Sequence, residues 1–298
     1  MGMTGLLVAR NVKIYFKDKM TFLTSLLSPL ILLVLFFTFL RSVYVSSLQS
    51  MLPEGVVLPE KLVDAFTGGW LISSILGVSS VTIAFCSNIL MVQDKVSGCL
   101  KDLLVTPVRR STLALSYYLS NYLTTSIVCF AAAGAGLLYL AATGWYLSLG
   151  DVLSLCLDLL VGILFGTALA ALVESRISSQ GGISAVATLV SSMYGFICGA
   201  YMPISQFSEG IRNLVSFNPG TYGTVLLRHH LMHGAIDEMA ETLPEPVVEA
   251  LRQGFDNQLY FFGHRVELWQ MFAVQLLSAL LILGVYILLH LSRKKAEG

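Results

Sequence analysis

The sequence predicts an all-α membrane protein with six transmembrane helices, an N-terminal interfacial helix, a short cytosolic helix and an external re-entrant helical hairpin. Composition supports the membrane class, because 55% of the 298 residues are hydrophobic and only 12% are charged, against about 25% charged in soluble proteins. Uncharged runs that could cross a bilayer, which takes roughly 20 apolar residues, recur along the chain. A soluble helical protein would not contain six of them at this length. The predicted spans lie at about residues 20–44, 69–92, 112–141, 152–173, 178–202 and 267–291.

Basic residues determine the predicted orientation, because cytoplasmic loops carry an excess of lysine and arginine. With six spans, both termini and the loops after the second and fourth spans share one side, and that side holds 12 of the 18 basic residues. We therefore expect a multi-pass protein of the plasma membrane, in a bacterium, with both termini cytoplasmic. The zero net charge does not indicate a nucleic-acid partner. The 12 residues are Arg10, Lys13, Lys17, Lys19, Lys95, Lys101, Arg109, Arg110, Arg176, Arg293, Lys294 and Lys295.

The segment at residues 4–19 predicts a helix that lies in the cytoplasmic membrane interface. Arg10, Lys13 and Lys17 fall on one side of such a helix, and apolar side chains fall roughly opposite. An amphipathic basic helix of this kind buries its apolar side in lipid and turns its basic side toward water and headgroups. The alternative is that this segment is a simple basic anchor for the first span. Within that span, Pro29 predicts a kink.

The loop between the second and third spans, at residues 94–110, is the most informative part of the chain. It is charged, yet Leu100, Leu103 and Leu104 form an apolar stripe at helical spacing. An apolar stripe on a water-exposed loop needs a cover, which is either the membrane surface or another protein. Charged residues flank the stripe, and the loop by itself leaves both covers open.

Ionisable groups inside the predicted spans are few. Asp158 is the one acidic candidate, and an intramembrane carboxylate is a functional suspect. The alternative is that it lies near the outer interface and stays hydrated. His229 and His233 stand four residues apart and could face a metal ion, but the glutamate of the zinc-protease motif is missing between them. We expect no metal site there, and no disulfide, because no cysteine lies in an external loop.

The segment after the fifth span predicts two unusual parts. Residues 203–234 contain two short amphipathic helices split by Asn218-Pro219, which fits a re-entrant hairpin in the outer leaflet. Non-helical backbone at that depth must pack on protein or line a pathway. Residues 235–266 form an external acidic insertion, which Pro244 and Pro246 divide into two short helices.

Two separated motifs resemble the ABC-2 family of ATP-binding-cassette transporter permeases, and with the predicted spans they cover nearly the whole chain. In the first motif, an acidic residue at the end of the second span precedes Ser-Gly, a leucine-rich helix and Thr-Pro. In the second, Gly-x-x-x-Pro after the fifth span precedes a helix with arginine, Asn-Pro and a later arginine. This chain departs from the family in having Gln93-Asp94 where glutamate is common, and in its long acidic insertion.

The resemblance implies a type V exporter-like fold in which two permease chains and two ATPase chains form the export unit. The second permease chain is expected to be identical, and membrane lipids surround both. The short cytosolic helix would be a coupling helix that docks on the ATPase, with a smaller contact from the second cytosolic loop. The implied coupling residues are Asp94, Ser97, Gly98, Leu100, Leu103, Leu104, Thr106, Pro107, Arg109, Glu174 and Arg176.

Two further sets of residues follow from the resemblance. The second and fifth spans would line the substrate path. For the candidates on the fifth span, the alternative is that they take part only in ordinary helix packing. The re-entrant hairpin would close the outer end of the path. The path candidates are Ser191, Ser192, Tyr194 and Phe196, and the gate candidates are Pro203, Arg212, Asn218, Pro219 and Arg228.

The chain itself contains no Gly-x-x-x-x-Gly-Lys-Ser/Thr loop. We therefore expect no catalysis by this chain, no catalytic residues and no cofactor of its own, with ATP and Mg²⁺ bound by the partner ATPase. Apolar and aromatic transmembrane faces favour an amphipathic small molecule as the exported substrate, such as a drug, an antibiotic or a lipid. The alternatives are export of a polysaccharide or teichoic-acid-type polymer, and a sensor or scaffold that uses the same fold without transport.

Overall fold

The computed structural model describes residues 2–106 and 108–296; the side chains of Leu104 and of residues 290–296 lie outside that description. The described chain is almost entirely helical, with one small antiparallel hairpin in which Tyr260 faces Arg265. The elements are α1 (Met3–Lys17), α2 (Lys19–Ser25), α3 (Leu27–Leu35), a π-helical turn (Phe36–Leu40), α4 (Arg41–Met51), α5 (Glu60–Ser97), α6 (Cys99–Val105), α7 (Arg110–Thr143), α8 (Leu149–Glu174), α9 (Gln180–Ile197), a 3₁₀ turn (Ile204–Gln206), α10 (Glu209–Val215), α11 (Pro219–Ala240), α12 (Glu245–Gly254), β1 (Leu259–Phe261), β2 (His264–Val266) and α13 (Leu268–Ala296).

Five helical segments within the described residues are long and apolar enough to cross a membrane. They are the continuous segment Leu27–Met51, the helices α5, α7 and α8, and Leu268–Leu289 of α13. All but one of the predicted spans fall on these segments. The span predicted at 178–202 falls on α9, and α9 is shorter than that predicted span. It starts after the polar turn at Ser179 and ends before Gly199, a residue with φ of +74°.

Helix α5 is the centre of the molecule. It is buried along most of its length, whereas Leu27–Met51 and α13 expose most of their apolar side chains. It contacts α7, α8, α9 and α11, so these helices surround it. The exposed apolar side chains of the outer helices are the surface that a bilayer would cover, since lipid rather than water is the solvent there.

A second hydrophobic cluster extends the core beyond the predicted outer membrane surface. It joins the end of α4, the start of α5, the end of α11 and α12 around the buried rings of Tyr44, Phe66, Trp70 and Phe255. The rings of Phe66 and Phe255 meet edge to face, with centroids 4.8 Å apart. The acidic insertion is therefore anchored on the transmembrane helices by an aromatic core.

Three local features differ from the sequence prediction. Pro29 lies in the first turn of α3, and the break comes at Leu26, because a proline ring clashes with the carbonyl four residues earlier and so favours a new helix start. Helix α11 has 22 residues and continues through residue 234 without a break, so the second helix of the hairpin is longer than predicted. The strands β1 and β2 lie in the acidic insertion, where only helices were predicted.

Candidate functional site

The loop at residues 94–110 forms a helix between two sharp turns. Helix α5 ends at Gly98, whose φ of +86° gives the left-handed cap that glycine adopts without steric cost. Helix α6 follows directly and ends where the Thr106 hydroxyl donates to the Leu103 carbonyl at 2.5 Å. Arg109 then occupies the N-cap position of α7, without a capping hydrogen bond from its side chain. Pro107 and the side chain of Leu104 lie outside the described residues.

Asp94 connects this loop to the N-terminal helix. Its carboxylate lies 2.8 Å from one guanidinium nitrogen of Arg10 and accepts a second hydrogen bond, at 3.3 Å, from the other. The Tyr117 hydroxyl donates to the same carboxylate at 2.5 Å, and Arg10 also reaches the Cys99 sulfur at 3.4 Å. These four residues, here called the Asp94 cluster, tie α1, α5, α6 and α7 together.

Electrostatics within the Asp94 cluster follow from this geometry. The hydrogen bond to Asp94 raises the pKa of Arg10, because a neighbouring carboxylate favours the protonated guanidinium. Burial, followed by the charge of Asp94, raises the pKa of the Cys99 thiol, which disfavours the reactive thiolate. Asp94 is nearly buried, and it is therefore a structural anchor of the loop.

Two leucines of the apolar stripe of α6 face inward. Leu100 and Leu103 pack against a cluster of Leu7, Met91 and Leu113, to which Tyr117 also belongs. Both leucines are half-buried, so the chain itself, including α1, covers them in part. The outward side of α6 consists of exposed side chains instead, and Val105 is 88% exposed. This outward face is formed by Lys101, Asp102, Val105 and Thr106.

The two coupling candidates of the second predicted cytosolic loop differ in their exposure to solvent. Arg176 is exposed, but Glu174 is fully buried and accepts a hydrogen bond from the Asn88 amide at 2.8 Å. The Lys95 ammonium donates to the Ser175 carbonyl at 3.2 Å. Of the two, only Arg176 can reach a partner on this side, and Lys95 joins the second loop to the first.

The path candidates on α9 do not share one surface. Tyr194 is buried against α11, and Ser192 and Phe196 are exposed on the opposite side of the helix. The Ser191 carbonyl accepts from the Ser28 hydroxyl at 2.9 Å. The exposed side also carries Leu189 and Met193 together with the hydroxyls of Ser184 and Thr188, so it is a mixed face of apolar and hydroxyl side chains.

The gate candidate Arg228 is a buried arginine with partners on several elements. Arg228 has no exposed side-chain surface, and its guanidinium lies 3.2 Å from the Asp256 carboxylate. It donates to the Gly199 carbonyl at 2.9 Å and to the Ser74 hydroxyl at 3.1 Å, and its carbon lies 4.8 Å from the centroid of Trp70. We call Arg228 and Asp256 the outer latch.

The other gate candidates lie around the outer latch without touching it. The Asn218 side chain accepts from the Gly220 amide, so it caps α11, with Pro219 as the first residue of that helix. Pro203 is buried next to the 3₁₀ turn, whereas Arg212 on α10 is half-exposed. Asp256 accepts from the backbone amides of both residues that follow Pro203, at 3.0 Å for the second of them.

Sequence reasoning missed Asp256, Arg10 and Tyr117. An arginine within the apolar run of α11 could have indicated a buried counter-charge, because an unpaired charge is too costly to bury. The sequence offered many acidic residues in the insertion as partners, with nothing to distinguish Asp256. Arg10 was assigned to a basic side that faces water and lipid headgroups, but the structure pairs it with Asp94.

Histidines and aspartates also meet near the outer ends of α8 and α11. His230 lies 3.3 Å from Asp158, and His233 lies 3.2 Å from Asp151. Asp158 is buried beside His230. It is therefore not exposed to water, as the alternative prediction of a hydrated interfacial residue required. Within the part of the chain that the structure describes, no group of three or more His, Cys, Asp or Glu residues could hold a metal ion.

The fold and these sites define a multi-pass α-helical membrane protein with a structured polar loop, α6, and a separate segment held by the buried Arg228–Asp256 pair. The family model described as ABC-2 type transporter matches residues 4–232. That match covers well over half of the chain, and the protein belongs to the ABC-2 type transporter family. A comparison with curated proteins found no match. The family match ends within α11, before the acidic insertion.

The Asp94 cluster gives a testable prediction about how the loop is held. We expect Arg10→Ala to lower the free energy of unfolding by about 1.5–3 kcal/mol, the usual effect of losing hydrogen bonds to a charged group. Lys13→Ala is the matched control, because it removes the same charge from an exposed position of the same helix. Thermal unfolding of both variants in detergent micelles measures the difference. Equal midpoints for the two variants would show that the Arg10–Asp94 pair does not stabilise the loop.

Proposed function

We propose that this chain is the membrane-spanning subunit of an ATP-driven exporter. Two copies form the substrate path, and a separate ATPase docks on the predicted cytoplasmic end. Membership of the ABC-2 type transporter family supports a permease role and an ABC ATPase as the general partner. The proposed substrate is an amphipathic small molecule, such as a drug, an antibiotic or a lipid. The exposed side of α9 supports this class, because its mixture of large apolar side chains and hydroxyls matches a ligand that is itself amphipathic.

The outward face of α6 is the observation that carries the coupling proposal. It presents one exposed valine between charged residues, which is the pattern of an anchor with a polar rim. Arg109 and Arg110, which follow α6 in the chain, and Arg176 in the second predicted cytosolic loop add exposed basic positions. The Asp94 cluster fixes α6 to three other helices, so a push on α6 moves α1, α5 and α7 together. This rigidity is what a part that transmits motion requires.

The docking face that we propose is therefore Lys101, Asp102 and Val105, in place of Leu100 and Leu103. Leu103 remains important because it positions α6 on its own cluster. Acidic substitution of Leu103 would disturb both folding and docking, so it cannot separate them. An exposed residue of the outward face gives a cleaner test.

Val105→Asp tests the proposal directly. We expect at least a tenfold loss of ATPase co-purification from membranes that express this chain together with its ABC ATPase, because a desolvated carboxylate opposes docking. Val57→Asp is the matched control, since Val57 is 90% exposed on the predicted opposite side of the membrane. Both variants should reach the membrane in equal amounts. Undiminished ATPase association of Val105→Asp would overturn the docking face.

ATP-dependent movement of a substrate tests the exporter role itself. Inside-out vesicles that contain this chain and the ATPase should accumulate a fluorescent amphipathic dye when ATP is added. The Val105→Asp vesicles should lose this accumulation and the Val57→Asp vesicles should keep it. Association with the ATPase in the absence of any ATP-dependent accumulation would favour a scaffold over an exporter.

A further inference from the structure

A cleft of about 610 Å³ opens beside the outer latch. One wall is α10, and the other is formed by the end of α12 and the β1–β2 hairpin, with the 3₁₀ turn and Asp256 as the floor. This volume lies in the range of small-molecule sites, which is about 300–1,000 Å³. The cleft is built largely from segments beyond residue 232, where the family match ends.

The lining of the cleft is polar and mostly uncharged. Amide and hydroxyl side chains are the most numerous polar groups, beside one acid and one base on α10 and the floor residue Asp256, whose charge is paired with Arg228 behind the cleft. Its polar members are Ser205, Glu209, Arg212, Asn213, Gln253, Gln258 and Tyr260, together with the floor residue Asp256. Phe262, which is 55% exposed, adds an aromatic ring at the rim.

These groups select one ligand chemistry. Asn and Gln side chains both donate and accept hydrogen bonds, which matches sugar hydroxyls that do the same. A phosphate or carboxylate ligand would call for more than one cation, and an apolar ligand would leave the amides unpaired. An aromatic ring at the rim offers an apolar face to the C–H side of a sugar ring.

One wall is preorganised by its own hydrogen bonds. The Gln253 amide donates to the Tyr260 hydroxyl at 3.1 Å, and that hydroxyl donates to the Gln258 side-chain oxygen at 3.1 Å. Glu249 lies behind this network, and its carboxylate, 3.2 Å from the same hydroxyl, is the alternative acceptor for that single hydrogen. Side chains fixed in this way lose little conformational entropy when a ligand binds.

The opposite wall has free hydrogen-bonding capacity. Within the described residues, the side chains of Arg212 and Asn213 make no hydrogen bond or ion pair with the protein. Both point from α10 into the same cleft as the ordered wall. We propose that this outer cleft binds a neutral saccharide, either as a free glycan or as the sugar headgroup of a lipid. The site needs no ATPase, so it stands apart from the exporter proposal.

The experiment measures saccharide binding to the whole chain in nanodiscs, which avoids detergents with sugar headgroups. One arm titrates maltotetraose, and the other compares nanodiscs containing glucosyl diacylglycerol with nanodiscs containing phosphatidylglycerol alone. We expect saturable binding of at least one probe. Binding of the soluble probe identifies a free glycan as the source, and binding of the lipid probe alone identifies a glycolipid headgroup.

Variants locate the binding in the cleft. Asn213→Ala and Gln253→Ala should weaken saccharide binding at least tenfold, whereas Gln49→Ala removes an exposed amide from α4 and should leave it unchanged. Asn213 has no side-chain partner, so its substitution leaves the fold intact. Failure of the wild-type chain to bind either probe, or undiminished binding by Asn213→Ala, would overturn the proposal. Because no ATPase is present, either result leaves the coupling test unaffected.

Discussion

Arg228→Met is expected to lower strongly both the recovery of folded protein from the membrane and the thermal stability of the protein that is recovered. The substitution removes one partner of a fully buried ion pair and leaves the Asp256 carboxylate without its counter-charge. Breaking a buried pair in this way costs about 3–5 kcal/mol, a large part of a typical stability of about 5–15 kcal/mol. The Gly199 carbonyl and the Ser74 hydroxyl lose their donors at the same time.

Arg252→Met is the matched control for the outer latch. Arg252 pairs with Asp237 and Glu245, but those carboxylates are mostly exposed. Surface pairs of this kind contribute about 0–1 kcal/mol, so this variant should be recovered normally. Size-exclusion chromatography of detergent extracts, followed by thermal unfolding of the monodisperse fraction, measures both variants. Equal recovery and equal midpoints would show that the latch does not hold the outer segment closed.

A double variant separates the charge from the other roles of Asp256. Replacing both latch residues by apolar ones, Arg228→Met with Asp256→Leu, removes the unpaired charge and should restore part of the lost stability. Full restoration is not expected, because Asp256 also accepts from the backbone amides of Ile204 and Ser205. Asp256 also has φ of +49°, which a leucine adopts at a cost. A double variant less stable than Arg228→Met would contradict this division of roles.

The latch shows where sequence reasoning ends. Long apolar runs predict membrane helices well, because the spacing of apolar residues is a local property of the chain. The pairing of Arg228 with Asp256 joins residues 28 positions apart and depends on how α11 and the acidic insertion fold back. No local pattern distinguishes Asp256 from the other carboxylates of the insertion. The motif containing Arg228 was visible, but its partner was not.

The loop after the second span shows the same limit. The spacing of Leu100 and Leu103 predicted a helix, and α6 is that helix. Periodicity reveals that a helix has an apolar face, but it does not reveal what covers that face. Here α1 packs against the loop and supplies Leu7 to the cluster that contacts Leu100 and Leu103. The sequence predicted a partner protein as the cover, which stays a prediction, and it did not single out the exposed residue Val105.

The contact between α5 and α8 depends on the missing side chain of Gly166. A β-carbon at this position would lie 2.2 Å from the Ser80 carbonyl oxygen and 3.0 Å from the α-carbon of Val81. Both are backbone atoms within a central buried helix, so they cannot move aside as a flexible side chain could. Even Gly166→Ala must therefore push the two helices apart.

We expect Gly166→Ala to destabilise the protein by about 1–3 kcal/mol, the usual cost of overpacking, and Gly166→Val to cost more. Gly134→Ala and Gly134→Val are the matched controls, since Gly134 lies within α7 with no atom within 4 Å of its would-be β-carbon. At that position alanine should stabilise slightly, because glycine is the poorer helix former. Thermal unfolding midpoints in micelles test all four variants. If the unfolding midpoint of Gly166→Ala equals or exceeds that of the wild-type chain, the close contact between α5 and α8 is not part of the folded state. In that case α5 does not pack against α8 at the centre of the bundle as described above.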